Sequence, residues 1–539
     1  MISKGYDYII VGAGSSGCVL ANRLSKNPHI KVCLIESGGS DANPRVQVPA
    51  GTITLYKSKH FSWNYFSTPQ KTMNNRSLHT PRGKVLGGSS SMNSMIYIRG
   101  DKSDYDQWAA LGCEGWGWQD VLPYFKKSEG NQLHQNPDYH GFTGELWVDK
   151  AKDPNPFSYK FLEAAKQAIG LPHNEDFNGH SSYGGGIYNL TQKNGRRLSS
   201  YQAFVAPVLS QRANLDVLTN CTVEKVIFDG KQATGVRLKN AAGSSEIKAN
   251  KEVILCAGAL GSPHILMKSG IGPKSDLINA GVDVTHDLPG VGKNLQEHVD
   301  GLVTVRSSSP KTLGFSFKAL PAILTSPWRY VFNRKGWLST NYVEAGGFAF
   351  TSEQETVPDI QFHFVPGYRS HRGRLFEWGH GYAIHTCVLR PKSVGEVTLG
   401  KNQELNIDFN MLSDDRDAKT LIEGIKMARK VLASSSFDGV RGKEMLPGKN
   451  VQTDEQLLEY IREYGATVFH PVGTCKMGID PMAVVDVDLK VHGLQGLRVV
   501  DASIMPTLVS GNTNAPCIMI GEKASAAILS ENNATSETP

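Results

Sequence analysis

Three glycines, Gly12, Gly14 and Gly17, stand in the spacing G-x-G-x-x-G, and one acid, Glu36, closes the next apolar run. These residue types at this spacing suit the holding of a dinucleotide. Gly12 permits a tight turn, Gly14 lets the backbone approach a pyrophosphate, and Gly17 lets a helix pack closely on a strand. The helix that opens at Ser15 offers its positive end to the diphosphate. Glu36 is placed to accept hydrogen bonds from ribose hydroxyls, and its charge would repel a 2'-phosphate. The motif by itself does not separate FAD from NAD.

The elements needed to hold these residues are legible around them. Tyr6 to Val11 reads as a short apolar strand, Val19, Leu20 and Leu24 continue at helical spacing, and Lys31 to Ile35 reads as a second strand. Glu252 to Cys256 is expected to rejoin the same sheet, followed by an apolar helix with Pro263 near its start. Leu497 to Val500 is a further strand, so the far end of the chain returns to the unit opened by Gly12.

The chain has 539 residues, 40% hydrophobic and 20% charged, a globular balance with length for two domains. Its net charge of +6 is spread among acids, which argues against a nucleic-acid footprint. The eight cysteines show no C-x-x-C spacing, so neither a disulfide framework nor a metal site is expected. No apolar run reaches the roughly 20 residues of a membrane span, and the first strand begins too early for a signal peptide. The expectation is a cytoplasmic protein without a transmembrane segment, compatible with peripheral attachment at the inner membrane. The polar tail 530–539 is expected to be disordered.

Further along, Pro81-Arg82-Gly83-Lys84-Val85-Leu86-Gly87-Gly88-Ser89-Ser90-Ser91-Met92-Asn93-Ser94 and the segment Gly258 to Gly272 resemble the two signatures of the glucose-methanol-choline (GMC) oxidoreductases. His470-Pro471-Val472-Gly473-Thr474, Val500 to Ser503 and Gly511 to Pro516 complete the set in the family's order. The resemblance is strongest to the bacterial branch of FAD-dependent alcohol dehydrogenases and choline dehydrogenases. It implies an α/β fold with α+β features, a Rossmann-like FAD-binding domain joined to an antiparallel-sheet substrate domain. The expected division is 1–155, 201–310 and 455–529 for the FAD-binding and catalytic parts, with 156–200 and 311–454 on the substrate side.

Small residues in the first signature suit close passage of a planar cofactor. The resemblance places Arg82, Val85, Gly88, Asn93, Ser94 and Met95 along FAD, Val223 near the adenine, and Asp501 and Ala502 near the pyrophosphate and ribityl chain. Some family members carry at the position of Met92 a histidine bonded to the flavin. Methionine cannot form that bond, so the FAD is expected to be non-covalent.

The resemblance also carries the family's catalytic histidine onto His470 and the second active-site position onto Asn512. An imidazole with an ordinary pKa near 6.5 can exchange protons around neutrality, and an amide can donate to a substrate oxygen. Asn514 is read as the cap of a helix from Ala515 whose positive end faces the flavin edge that gains negative charge.

Asp359 to Val365, Gly381 to Leu389 and Gly395 to Leu399 read as strands of the substrate sheet. Trp63, His363 and Phe364 are candidates for its cavity wall, and Trp63, Tyr65, Phe66 and Trp328 are the aromatics from which a cation cage could be built. The expected reaction is oxidation of a small primary alcohol to an aldehyde, with a quinone or another electron-transfer acceptor. Choline, a polyol or an aromatic alcohol is the alternative substrate, and a non-catalytic flavin-binding protein the alternative class.

Overall fold

The computed structural model describes residues 5–368 and 378–536. Tyr6–Val11 and Val32–Ile35 are short, buried and apolar, and Leu215–Leu218 is a short, partly buried edge strand. They lie parallel beside the second half of the long strand Gly243–Leu255, and Leu497–Val499 closes the sheet on that strand's far side. The two inner strands, covered on both faces, need continuous apolar runs. The hairpin Thr222–Asp229 and Gln232–Asn240 extends the first half of the long strand antiparallel.

A second sheet stands apart. Its order is Arg441–Leu446, Val299–Ser307, His380–Val388, Ile360–Val365, Ala345–Ala349 and Gly184–Ile187, all antiparallel, with Ala466–Thr467 also on Val299–Ser307. Its strands therefore reach beyond the expected span 311–454 on both sides, because the strand that follows the first sheet's domain runs directly into it. Of the three strands read from sequence, two belong here. Glu396–Leu399 instead pairs only with Leu405–Asp408 in a separate ribbon.

Helices Pro156–Ile169 and Asp415–Ala433 cover one face of this sheet. Asn155 and Asp414 cap them by accepting the second N–H of each helix. Cross-strand register sets which residues meet them. Leu302, His385 and His363 stand in one row, and Phe362 and Phe364 point to the opposite, helix-covered side.

Chain ends and signatures are tied together by polar contacts. The last helix, Asn514–Ser536, begins one residue earlier than expected, with the Thr513 carbonyl accepting from Cys517 N–H. Its start lies against the start of helix Ser15–Leu24, where Ser15 Oγ donates to Asn514 Oδ1 at 2.7 Å. The helix runs on through much of the segment expected to be disordered. Glu531 pairs with Arg498 at 2.6 Å, and Asn532 meets Tyr8, contacts that favour helix over a solvated tail. Residues 537–539 of that tail lie outside the described residues.

Pro263 falls in the interior of helix Gly258–Lys268, not near its start. Proline has no N–H for the carbonyl four residues back, which is Ala259. The hydroxyl of buried Thr474 donates to that carbonyl at 2.6 Å. The His-Pro-Val-Gly-Thr segment is thereby anchored to the second signature. Thr474→Val keeps the shape and removes the donor, so it is expected to lower unfolding stability by roughly 1–3 kcal/mol, read as a drop in urea midpoint. Pro263→Ala in that background restores a donor and recovers part of the loss.

Candidate active site

Between the two sheets lies a cavity of about 1330 Å³. That exceeds a single drug-sized pocket, typically 300–1,000 Å³, and leaves room for a long cofactor and a small substrate together. Gly12, Gly14, Ser15 and Glu36 line one end, with Val223 beside them, and Asp300, His363 and His470 line the other.

At the first end the backbone is drawn close. Gly12 has φ +107°, and a Cβ there would come within 2.4 Å of the Cys256 carbonyl oxygen. A Cβ on Gly17 would fall 2.0 Å from the Gly12 oxygen, so that glycine serves helix packing and does not line the cavity. Gly88, at φ +55°, brings the first signature against the turn, where its Cβ would meet Gly14 Cα at 2.8 Å. Helix Ser15–Leu24 has Gly14 as its cap and no side-chain acceptor for its first N–H groups. Helices Ser15–Leu24, Gly258–Lys268 and Asn514–Ser536 all start on this wall, so three positive ends converge on it.

Glu36 accepts from Ala13 N–H at 3.1 Å and Gly38 N–H at 2.8 Å, and burial pushes its carboxyl up to about 7. Asp501 directs its side chain away from the cavity, to Gly258 N–H, Ser262 and Ser503, which leaves the backbone of Asp501 and Ala502 on the wall. Arg82, Asn93, Ser94 and Asn514 also line it. Val85 and Met95 do not: both are buried behind the signature, Val85 with its N–H toward Glu36 and Met95 with its N–H on Asn93 Oδ1. A role for either in direct contact is therefore replaced by support. Buried Arg197, which the sequence reading passed over, holds the loop by donating to Ser90, Asn93 and Val46 carbonyls.

At the second end a chain of hydrogen bonds fixes the protons. His298 Nε2 faces the Leu389 carbonyl at 3.2 Å, which can only accept, so His298 carries its proton there and its Nδ1 is bare. His470 Nδ1 lies 3.0 Å from that bare nitrogen and must donate to it. His470 Nε2 is then an acceptor, 3.3 Å from Asn512 Nδ2. Gln361 Nε2 donates to Asn512 Oδ1 at 3.3 Å, which agrees with that amide orientation. One set of tautomers satisfies every link.

Burial keeps this chain neutral. It pushes His298 down to about 4, His363 down to about 3 with help from His385 and His298, and His470 well below the ordinary imidazole value, with His298, His363 and Arg82 adding to the effect. Glu297 Oε1 accepts from the backbone N–H of His470 at 2.7 Å and of His298 at 2.9 Å, and its carboxyl is pushed by burial up to about 8. Arg82 donates to the carbonyl of Phe469, whose φ of +71° is a strained setting for a non-glycine residue next to His470. Donor atoms of Glu297, His298 and His470 lie within 4.8 Å of one another, a spacing a metal could use, but the imidazoles are closed on each other Nδ1 to Nδ1.

His363 and Trp63 line the cavity as expected, whereas Phe364 does not. It stacks on Phe161 at 4.9 Å on the helix-covered side, because strand alternation puts neighbours 363 and 364 on opposite faces. Trp63 lies parallel to Tyr65 at 5.9 Å, with Lys84 Nζ 4.8 Å from its ring. Phe66 and Trp328 are exposed away from the wall. Glu297, His298, Asp300, Gln361 and His385 were not singled out from sequence. The cluster Gln296-Glu297-His298 before an apolar strand was the available signal, but only the fold brings it to His470.

The fold and the glycine-lined end of the cavity are those of a dinucleotide-dependent oxidoreductase, and a histidine-amide pair faces the same cavity. The GMC oxidoreductase family matches residues 6–300 and 391–521, and the chain belongs to it. It is 46% identical over 529 residues to an alcohol dehydrogenase (acceptor) of Pseudomonas putida, covering 97% of this chain and 96% of that one. It is 42% identical over 534 residues to an oxygen-dependent choline dehydrogenase of Pseudomonas fluorescens strain SBW25, covering 97% and 93%. The crystal structure of pyridoxine 4-oxidase from Mesorbium loti superposes with a TM-score of 0.86 at 30% identity, over 97% of this chain and 99% of that one.

The raised carboxyl of Glu297 gives a pH test. Below its ordinary value of 4.5 both folded and unfolded chains hold the proton. As pH rises toward about 8, the unfolded chain releases it first, so stability is withdrawn across that window. Glu297→Gln keeps an acceptor for both N–H groups and escapes this loss. Its stability relative to wild type is expected to increase by roughly 1–3 kcal/mol between about pH 5 and pH 8, measured by denaturant midpoints at matched cofactor content.

Proposed function

We propose that the protein oxidises a small uncharged primary alcohol to the aldehyde, using non-covalently bound FAD and passing electrons to a quinone or another non-oxygen acceptor. The observation that carries this reading is the bare Nε2 of His470 beside the Asn512 amide, on the wall of a cavity large enough for both reactants. Gly12, Gly14, Ser15 and Glu36, with the backbone of Gly88, Asp501 and Ala502, would hold the dinucleotide. The converging helix starts suit its diphosphate. Met92 lines the cavity where a linking histidine would be needed, and supports a dissociable cofactor. When bound, FAD supplies the hydride acceptor for the alcohol carbon.

The protein's part is proton placement. Asn512 Nδ2 donates to the alcohol oxygen and holds it near His470. His470 Nε2 accepts the hydroxyl proton, while the Nδ1 hydrogen bond to His298 keeps the ring turned and the lone pair on the correct nitrogen. Neutral surroundings favour an uncharged substrate. Asp300, on the substrate wall, gives one oxygen to His385 at 2.7 Å, and Lys84 occupies a face of Trp63, which leaves only the second Asp300 oxygen for a quaternary ammonium group. A choline-like amino alcohol is the second reading, favoured by the position of Asp300 on that wall.

Anaerobic mixing with linear primary alcohols is expected to bleach the flavin spectrum rapidly, with choline slow; bleaching by choline alone would reverse the substrate class. His470→Ala is expected to keep its flavin and lose roughly 10²–10⁴-fold in kcat/KM. Retained wild-type turnover would remove His470 from the reaction. In the wild type, the acid limb of kcat/KM is expected below the ordinary imidazole value, the direction in which burial moves His470.

A further inference from the structure

The helix Leu320–Asn333 reverses the usual burial pattern. Its buried residues are Ser326 and Tyr330, whereas Leu320, Leu324, Trp328, Val331 and Phe332 are exposed. Steps of three and four put these five on one stripe. Phe317, just ahead of the helix, and Trp378 add to the belt, their rings meeting edge to face at 5.1 Å, and Trp328 stacks on Phe332 at 6.2 Å. Phe317 is 78% exposed, Phe332 73% and Trp328 67%. A contiguous aromatic surface of this kind on a soluble face marks an interaction site.

Charge indicates what covers it. From Gly301 to Val343 the chain has no Asp or Glu, but it carries Arg306, Lys311, Lys318, Arg329, Arg334 and Lys335. The even mixing of charges seen over the whole chain breaks here. Arg329 reaches Asp153 at 3.3 Å and Arg334 lies over the Tyr330 ring, while Lys318 and Lys335 border the stripe at either end. Trp, Phe and Leu flanked by Lys and Arg match a helix lying in the lipid–water boundary, with rings at headgroup depth and long basic side chains reaching anionic phosphates. A second copy of the chain would bring the same positive border against itself.

The belt is continuous with the cavity. Phe315 lines the cavity, bridges by backbone to Trp378 and Gly379, and meets edge to face with Trp337, another lining residue. We propose that this belt seats the protein on a membrane surface containing anionic lipid, with this side of the cavity at the bilayer boundary. Lipid-soluble molecules would then reach the cavity from the membrane. No helix among the described residues is long and apolar enough to cross a bilayer, so the attachment is to one surface.

The test is flotation of the full-length holoprotein with vesicles of phosphatidylcholine alone or mixed with phosphatidylglycerol, with analytical ultracentrifugation in parallel. The expected result is binding to phosphatidylglycerol vesicles that weakens with salt. The double variant Trp328→Glu/Phe332→Glu should lower that binding about tenfold or more. Its flavin content and turnover of a water-soluble alcohol with a soluble acceptor should stay unchanged, so the result does not depend on the substrate reading. Ile278→Glu, at an exposed apolar residue outside the belt, should leave vesicle binding intact. Absence of binding to phosphatidylglycerol vesicles, or equal binding by the double variant, overturns the proposal. A wild-type dimer that the double variant converts to monomer, with no vesicle binding by either, overturns it in favour of a protein contact.

Discussion

The carbonyl of Leu389 determines where the bare lone pair of His470 lies. A carbonyl can only accept, so it places the proton of His298 on Nε2, and every later link follows from that choice. The relay needs its members within hydrogen-bond reach, although His298 opens a strand of the second sheet, Leu389 follows another, and His470 sits in a loop from the carboxyl-terminal part. Glu297 provides that alignment by gathering the backbone N–H groups of both histidines on one oxygen. A buried carboxyl held largely protonated does this without placing a full negative charge beside the imidazoles, which would raise their proton affinity.

The other end of the cavity depends on contact between backbones. Gly88 reaches Gly14 only because Gly88 has no Cβ, and Gly12 and Gly17 are pressed against the strand end at Cys256 for want of one. The two halves of the chain are then joined by small polar groups, Ser15 to Asn514 and Thr474 to Ala259. The proline in the second signature gives the latter contact its purpose. It frees a carbonyl inside a helix, and the threonine four residues after His470 answers it, so the loop of His470 and the wall at the other end share one anchor.

Legibility in the sequence followed the range of the physical signal. Gly12, Gly14, Gly17 and Glu36 form a local pattern whose geometry is set by neighbours in the chain, and the strand, turn, helix and strand around them stand where the apolar runs placed them. His470 and Asn512 were reached through resemblance, and the structure brings them together. Phe364 was misplaced by one residue of strand parity, since a run buried on both faces does not say which side meets the cavity. The last helix outran its expected end because Glu531 and Asn532 look like tail residues until Arg498 and Tyr8 are beside them. Gln361 and His385 had no local signature, their significance comes from cross-strand register, and the polar cluster around His298 gains meaning only when the fold brings it to His470.

The electrostatics of the substrate end follow from these same choices. His298, His363 and His470 are all held neutral by burial, and Glu297 largely so, while Asp300 and His385 stand as a pair and Arg82 donates into the loop that carries His470. On the proposed reading, a proton leaving a substrate hydroxyl for His470 would create an imidazolium in a region that disfavours positive charge, so the ring would readily give the proton up again. A cationic substrate would add a second positive charge to that region before the transfer. An uncharged alcohol would add none, and the cost of protonating His470 would then fall on a step where negative charge develops on the neighbouring oxygen. The burial that lowers the histidine's affinity for protons in the resting site thereby strengthens its attraction to that developing charge.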